Sequence, residues 1–295
     1  MWRLSKKLDY LRYAKSGENI LLTGVPRSGT TLICRLLCEP PNMVALNEPM
    51  DRQFFPSPEK SQAAIADHFR QFRRSLYFEQ SALARTSNGK IVDNAFSEKS
   101  PKDRSRLVTR SKVVFNKSLS PNFTLLMKHC AEFTLILPAL LDHYLIYAVI
   151  RNPLAILASW NSVDVPVSRG KVAKSARLNP SFHARLNEHP EDLLTRQLFI
   201  LSWYFEQYQQ LPERQIIRYE ELIVSPAKTL GRIVGHNINF SFPILENRNA
   251  NKLYNATNLS RLAERLLQSE GAYWAFYARS SVKDLAQKMQ ADYEQ

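Results

Sequence analysis

Short apolar runs alternating with stretches of helical periodicity organise this 295-residue chain. Ile20 to Val25 is an apolar run punctuated by Gly24 and closed by Pro26, the pattern of a parallel strand buried on both faces. Thr31 to Leu37 then carries apolar residues at helical spacing. Asn42 to Leu46 reads as a second strand, Phe123 to Lys128 as a third, Tyr144 to Ile150 as a fourth followed by a helix through Trp160, and Gln215 to Arg218 as a fifth. Glu191 to Leu211 is a long amphipathic helix with Leu194, Leu198, Leu201 and Phe205 along one side. Strands alternating with helices predict an α/β fold with a mostly parallel central sheet flanked by helices.

Two regions interrupt that pattern as insertions, around residues 51–120 and 164–190. The first has a helical stretch from Glu59 to about Arg85, then a polar, irregular segment with an Asn88-Gly89 turn signal. The second carries Arg169, Lys171, Lys174, Arg177 and Arg185 with little periodicity, and so long a loop in a compact domain is usually functional or mobile. Residues 247–258 are Asn-rich and lead into a C-terminal helical region. No interdomain linker is visible, so a single domain over residues 1–295 is expected.

Composition narrows the class. With 44% hydrophobic and 23% charged residues the chain has the make-up of a soluble globular protein, not of a disordered one. The longest apolar stretch, Phe133 to Ile150, is broken by Pro138 and Asp142-His143 and falls short of the about 20 apolar residues of a membrane span. It reads as a helix end, a turn and a buried strand. The N-terminal ten residues are charged and lack the apolar core of a secretory signal. Three cysteines, with Cys34 and Cys38 on one face of a predicted helix and Cys130 after a strand, suit reduced thiols and make a poor zinc site. A cytoplasmic chain is the expectation. The net charge of +13 turns attention to anionic partners: a nucleotide, acidic glycans, nucleic acid or a membrane surface.

Two strand–turn–helix stretches carry the candidate chemistry. Gly24-Val-Pro-Arg27-Ser28-Gly29-Thr30-Thr31 keeps the Gly-x4-Gly spacing of a nucleotide-binding P-loop but has Thr30 and Thr31 where that loop carries lysine and a magnesium-binding hydroxyl. Its cation comes earlier, at Arg27. In the second stretch Arg151 stands at a strand end and Ser159 eight residues later, about two helical turns on. Together they suggest a nucleotide bearing phosphate or sulfate at two positions. Because open parallel sheets bind ligands beyond the carboxyl ends of their strands, Arg27, Glu48, Lys128 and Arg151 should meet in one crevice.

On these motifs the chain resembles the sulfotransferase superfamily, which uses 3′-phosphoadenosine 5′-phosphosulfate (PAPS). Pro26-Arg27-Ser28-Gly29-Thr30-Thr31 is similar to its 5′-phosphosulfate loop, Arg151 and Ser159 match its 3′-phosphate pair, and Arg218-Tyr219-Glu220-Glu221-Leu222 resembles its Tyr-Glu-Asp-Leu element. The resemblance runs over roughly residues 18 to 230, with the motifs in family order. It implies that PAPS is the co-substrate, with no metal required. It further implies that Ser28 to Thr31 with Arg27 hold the phosphosulfate, that Arg151 and Ser159 hold the 3′-phosphate, and that Tyr219 lies near adenine. Glu48, placed like a glutamate of carbohydrate and tyrosine sulfotransferases, would be the base on the acceptor, and Lys128 would stabilise the leaving phosphate. His129 is a second candidate base, although a strand neighbour of Lys128 points to the opposite face. The family's later Arg-Lys-Gly loop has no clear copy, with Arg248 as its candidate substitute. Arg27 in place of lysine, and no tryptophan after Thr31, lean toward the carbohydrate- and protein-modifying branches.

The reading is therefore a sulfotransferase that moves a sulfuryl group from PAPS to a hydroxyl or amine of a glycan, glycolipid or small metabolite. Arg70, Arg73, Arg74, the basic residues from Lys102 to Lys117, and those from Arg169 to Arg185 suit either an anionic acceptor or a solvated face. The same charge would suit peripheral contact with a membrane. A P-loop kinase is the alternative enzyme, opposed by the missing lysine and hydroxyl. A non-enzymatic nucleic-acid binder is the alternative of another class, opposed by the lack of a recognisable module, so no specific nucleic acid is expected.

Overall fold

The computed structural model describes residues 2–100, 103–189, 192–235, 241–254 and 256–294. Helix α1 (Trp2–Tyr13) precedes strand β1 (Asn19–Gly24), helix α2 (Thr30–Leu36) and strand β2 (Met43–Asn47). Helix α3 (Pro58–Glu79) leads to strands β3 (Ser81–Thr86) and β4 (Thr109–Val114). Strand β5 (Thr124–Lys128), helix α4 (Cys130–Leu135), strand β6 (Leu145–Ile150) and helix α5 (Pro153–Trp160) follow. Then come α6 (Ser175–Leu178), α7 (Pro180–Glu188), α8 (Leu193–Tyr208), β7 (Ile216–Arg218), α9 (Tyr219–Val224), α10 (Pro226–Val234), α11 (Ala256–Gln268) and α12 (Arg279–Glu294).

The central sheet has the order β2-β5-β1-β6-β7, every neighbour parallel. Period-two alternation assigns each strand's side chains to two separate cores. Leu21, Val44, Leu46, Leu125, Met127, Ile146, Ala148, Ile150 and Ile216 enter the larger one, beside α5, α8 and the C-terminal helices. Ile20, Leu22, Met43, Ala45, Leu126, Tyr147, Val149 and Ile217 enter the smaller one with Ile33, Cys34, Leu36 and Leu37 of the α2 region, and with Leu222, Leu230 and Ile233. A sheet covered on both sides requires strands that are apolar at every position, which is why these runs were recognisable.

The register sets the site. Leu22 and Asn47 both stand opposite Lys128, Gly24 stands opposite Val149, and Ile150 opposite Arg218, so the candidate residues start from one edge of the sheet. That edge lies where chain order reverses around β1, the place at which doubly wound sheets bind ligands.

The insertions differ from expectation. The predicted helix from Glu59 to Arg85 stops at Glu79. Gln80 turns into the left-handed region at φ 54°, and Ser81–Thr86 pairs antiparallel with Thr109–Val114. The Asn88-Gly89 signal is realised as a two-residue turn, with φ 49° and 72° and reciprocal Ser87–Lys90 backbone bonds of 3.0 Å. In 164–190, α6 and α7 form under Asn179, whose side chain caps α7 at the Phe182 N–H. The amphipathic helix α8 runs from Leu193 to Tyr208, capped by Asp192; its expected start, Glu191, lies outside the described residues, as does Lys102. The three cysteines are free thiols, and Cys38 lies past the end of α2, so it does not share that helix with Cys34. Among the described residues no helix is long and apolar enough to cross a membrane.

Candidate active site

At the carboxyl edge of the sheet opens a cavity of about 670 Å³. Its floor is the 26–31 loop, with Asn47, Glu48, Lys128 and Arg151. Residues 90–98, 104–108 and 165–173 form two walls, and 243–254 a third.

The loop's shape follows from two left-handed residues, Arg27 at φ 74° and Gly29 at φ 100°. A Cβ on Gly29 would lie 2.9 Å from Tyr219 Cδ2, so position 29 needs glycine for space as well as for φ. Ser28 N–H closes the turn onto Val25 O at 3.0 Å, which removes it from the expected set of anion donors. Gly29 to Thr31 enter the first turn of α2, where N–H groups have no intrahelical acceptor. Thr30 Oγ1 is turned toward Cys130 Sγ at 3.2 Å, while Thr31 remains half-buried on the cavity. Ser28 Oγ is buried without a hydrogen-bond partner.

On one side of the loop, Lys128 and Glu48 form an ion pair. Lys128, 4% exposed, donates from Nζ to Glu48 Oε1 at 3.0 Å and to Asn47 Oδ1 at 3.2 Å. Glu48 is half-buried with φ 45°, and its backbone N–H donates to Lys128 O at 2.9 Å. Its Oε2 pairs with Arg85 Nε at 2.6 Å. Burial, the largest influence, would raise the Glu48 pKa, as would Glu132, but Lys128, His129 and Arg85 together outweigh them and hold it at about 2. Burial likewise opposes the Lys128 charge, and its acidic neighbours, Glu48 among them, keep it protonated above its ordinary range. His129 lies elsewhere: its Nε2 accepts from Met50 N–H at 3.3 Å and its ring packs on Phe55 and Phe133. Burial lowers its pKa, and it does not line the cavity.

On the other side, Arg27 Nε donates to Ser159 Oγ at 3.1 Å and Nη1 to Asn94 Oδ1 at 3.1 Å, its guanidinium lying over the Phe96 ring. Arg151, 5% exposed, donates to Arg27 O at 3.1 Å, Asn249 Oδ1 at 2.6 Å, Arg248 O and Tyr254 Oη at 3.3 Å. It stacks on Tyr219 at 4.4 Å, and Tyr219 Oη accepts from Arg248 N–H at 3.0 Å. Arg248 pairs with Glu98 at 2.7 Å, and Glu98 accepts from Asn94 at 2.7 Å. A closed ring of contacts, Arg27–Arg151–Arg248–Glu98–Asn94–Arg27, thus borders this end. Burial, reinforced by the charges of Arg104 and Arg151, pushes the Arg27 pKa down to about 10, still protonated at neutral pH.

A sequence model described as the sulfotransferase family matches residues 19–237. The chain belongs to that family. Among solved structures it is similar to the sulfotransferase STF1 of Mycobacterium tuberculosis H37Rv, at 15% identity over 90% of this chain and 81% of that one, with a TM-score of 0.35. It is also similar to the sulfotransferase STF9 of Mycobacterium avium, at 13% identity over 99% of this chain and 79% of that one, with a TM-score of 0.34. No curated protein matches it.

Of the residues singled out in the sequence, Arg27, Gly29, Thr30, Thr31, Glu48, Lys128, Arg151 and Tyr219 line this cavity, while Ser28, His129 and Ser159 do not. Ser159 reaches it through Arg27, and Ser28 is buried beneath the loop. Reading the sequence missed Arg85, Asn94 and Glu98, and counted Arg104 only among the basic residues from Lys102 to Lys117. The Asn88-Gly89 turn was the one local signal of extended chain there, and it is closed by an isolated Ser87–Lys90 bridge just after β3. Most of the basic residues expected to face an acceptor are otherwise engaged. Arg169 pairs with Asp164 and Arg70 with Asp67 in the open, Arg185 approaches Glu206, and Arg73 is buried on Glu18 O, Asn19 and Phe123 O. What 164–190 contributes to the cavity is Val165, Pro166, Val167, Val172 and Ala173. Among the described residues no group of three or more His, Cys, Asp or Glu side chains forms a metal cluster.

Proposed function

We propose that this family member transfers a sulfuryl group from PAPS to a hydroxyl or amine on an acceptor with an apolar body, such as a glycolipid or small metabolite. The observation that carries this reading is the joining of two cation-lined ends in one cavity. Lys128 and the Gly29–Thr31 loop line one end, and Arg27, Arg151 and Ser159 gather at the other, so a single doubly charged carrier could meet both. The residues fit such a molecule. Ser28 Oγ and two nitrogens of Arg104 are buried without partners.

PAPS when bound supplies the sulfuryl group, whose bond to the 5′-phosphate oxygen breaks as the bond to the acceptor oxygen or nitrogen forms. The N–H groups of Gly29 to Thr31 and the Lys128 ammonium neutralise charge gathering on that phosphate, an electrostatic role for donors already fixed in place. Glu48 takes the acceptor proton. Clamped by Lys128 and Arg85 it is a weak base, and Lys128 turning toward the phosphate would loosen one clamp and raise its basicity as the proton is released. Arg151 and Ser159, bridged by Arg27, hold the 3′-phosphate, with Tyr219 stacked beneath. Apolar walls from Ile91, Val92, Val108 and the 165–173 segment favour an apolar acceptor body over a polyanionic glycan.

The test is a panel of lipid-linked, small-molecule and glycan acceptors incubated with PAPS radiolabelled in the sulfuryl group. Label is expected in an acceptor of apolar body and lost with Lys128→Ala. Label confined to polyanionic glycans would refute the acceptor class. ATP turnover stimulated by magnesium would point to the kinase reading.

A further inference from the structure

Four arginines gather at the Ser159 end of the cavity, and three have protein partners that fix them. Arg27 holds Ser159 and Asn94, Arg151 is fixed by four bonds to carbonyls and side chains that leave one Nη1 hydrogen over, and Arg248 pairs with Glu98 and Glu246. Arg104 differs. It is 8% exposed and lines the cavity, yet its Nε and Nη1 are both buried with no hydrogen-bond partner. A guanidinium stripped of water and given no acceptors in exchange is unfavourable, and buried charges are ordinarily paired or hydrogen-bonded. Its backbone is held between two isolated bridges of the insertion, Ser100–Asp103 and Phe96–Arg106. The charged neighbourhoods of the two ends do not overlap. Arg104 responds to burial, Tyr254, Glu98 and Arg248 and itself bears on Arg27, whereas Lys128 responds to Cys130, Glu48 and Cys34.

We infer that Arg104 is an anion-binding residue supplied by the 51–120 insertion, which takes the 3′-phosphate of the adenosine carrier together with Arg27 and Ser159. This rests on the donor reading above. A guanidinium with two nitrogens that have no protein acceptor is a ready donor of charge-assisted hydrogen bonds to a phosphomonoester. The ligand class is thus a terminal phosphate, and its place is the end of the cavity away from Lys128.

Isothermal titration calorimetry on the full chain, at one fixed ionic strength, tests it with adenosine 3′,5′-bisphosphate and adenosine 5′-phosphate as probes. Wild type should prefer the bisphosphate. Arg104→Met should lose at least about tenfold for the bisphosphate, the loss of one charge-assisted contact, and change little for the 5′-phosphate. Arg104→Gln carries the same expectation should the methionine variant not fold. Melting of the nucleotide-free Arg104→Met protein separates a binding role from a structural one: an unchanged or raised melting temperature supports binding, and a lowered one contradicts it. Equal losses for both nucleotides overturn the 3′ assignment. An unchanged bisphosphate affinity overturns the inference and leaves the donor reading standing. Wild type binding neither nucleotide overturns the donor reading itself.

Discussion

At the Lys128 end of the cavity each charge has its opposite in contact: Glu48 accepts from Lys128 on one oxygen and faces Arg85 on the other. At the Ser159 end, Arg27, Arg104, Arg151 and Arg248 have Glu98, Glu246 and Glu220 as their nearest carboxylates. Glu220 is already taken by the Asn152 N–H, Asn249 and the Tyr277 hydroxyl. One end is balanced in its contacts, every charge touching its opposite, and able to pass a proton. The other keeps Arg104 with two buried nitrogens that have no acceptor. The contrast separates two demands of group transfer, since a binding end needs an excess of fixed charge, and a reacting end needs groups whose charge can change during the reaction.

Variants that exchange these properties test the contrast. The largest effect belongs to the balanced end. Lys128→Ala or Glu48→Gln should lower turnover by about 10²–10⁴-fold, the span of acid–base and electrostatic contributions, while calorimetry finds the bisphosphate affinity nearly intact. A parallel collapse of binding would make that end a binding site instead. Arg151→Ala should weaken adenosine 3′,5′-bisphosphate by about 10²-fold, because a lost charge-assisted contact costs up to roughly 3 kcal/mol, and should spare a carrier lacking the 3′-phosphate. Equal losses for both carriers would dissolve the distinction between the ends. Ser159→Ala removes a single neutral donor and acceptor, and its loss in the same titration should stay near about tenfold or less, roughly 1 kcal/mol.

The smallest effect concerns pH. Glu48 has its folded pKa depressed from 4.5 to about 2, so its ion pair stabilises the fold fully above 4.5 and loses that contribution as pH falls toward 2. The stability difference between wild type and Glu48→Gln, from denaturant titrations, should be flat from pH 8 to 5 and shrink only below. Shrinkage already between pH 8 and 5 would mean that Glu48 is not held by Lys128 and Arg85.

The sheet and the 24–31 turn were legible because both depend on local sequence. Strands buried on two faces must be apolar throughout, and the 24–31 turn needs Gly29 in place. The walls were not. Ser81–Thr86 follows α3 without a proline or glycine to end it, and only the left-handed turn at Gln80 and pairing with a strand beginning 28 residues on, at Thr109, make it extended. Arg85 was therefore counted within a helix and missed as the second clamp on Glu48. Arg104 sits in a segment of isolated bridges with no periodicity, so nothing near it in sequence marks it as buried. Charge counts misled in 164–190 as well. Its arginines face solvent and its valines face the cavity, as the ordinary preference of charge for water dictates.

A crystal structure with adenosine 3′,5′-bisphosphate tests the joined-ends arrangement most directly. One nucleotide should span the cavity, its 5′-phosphate on the Gly29–Thr31 N–H groups and its 3′-phosphate in contact with Arg151 and Ser159. A nucleotide seated outside the cavity, or held at the loop with its 3′-phosphate in solvent, would contradict it.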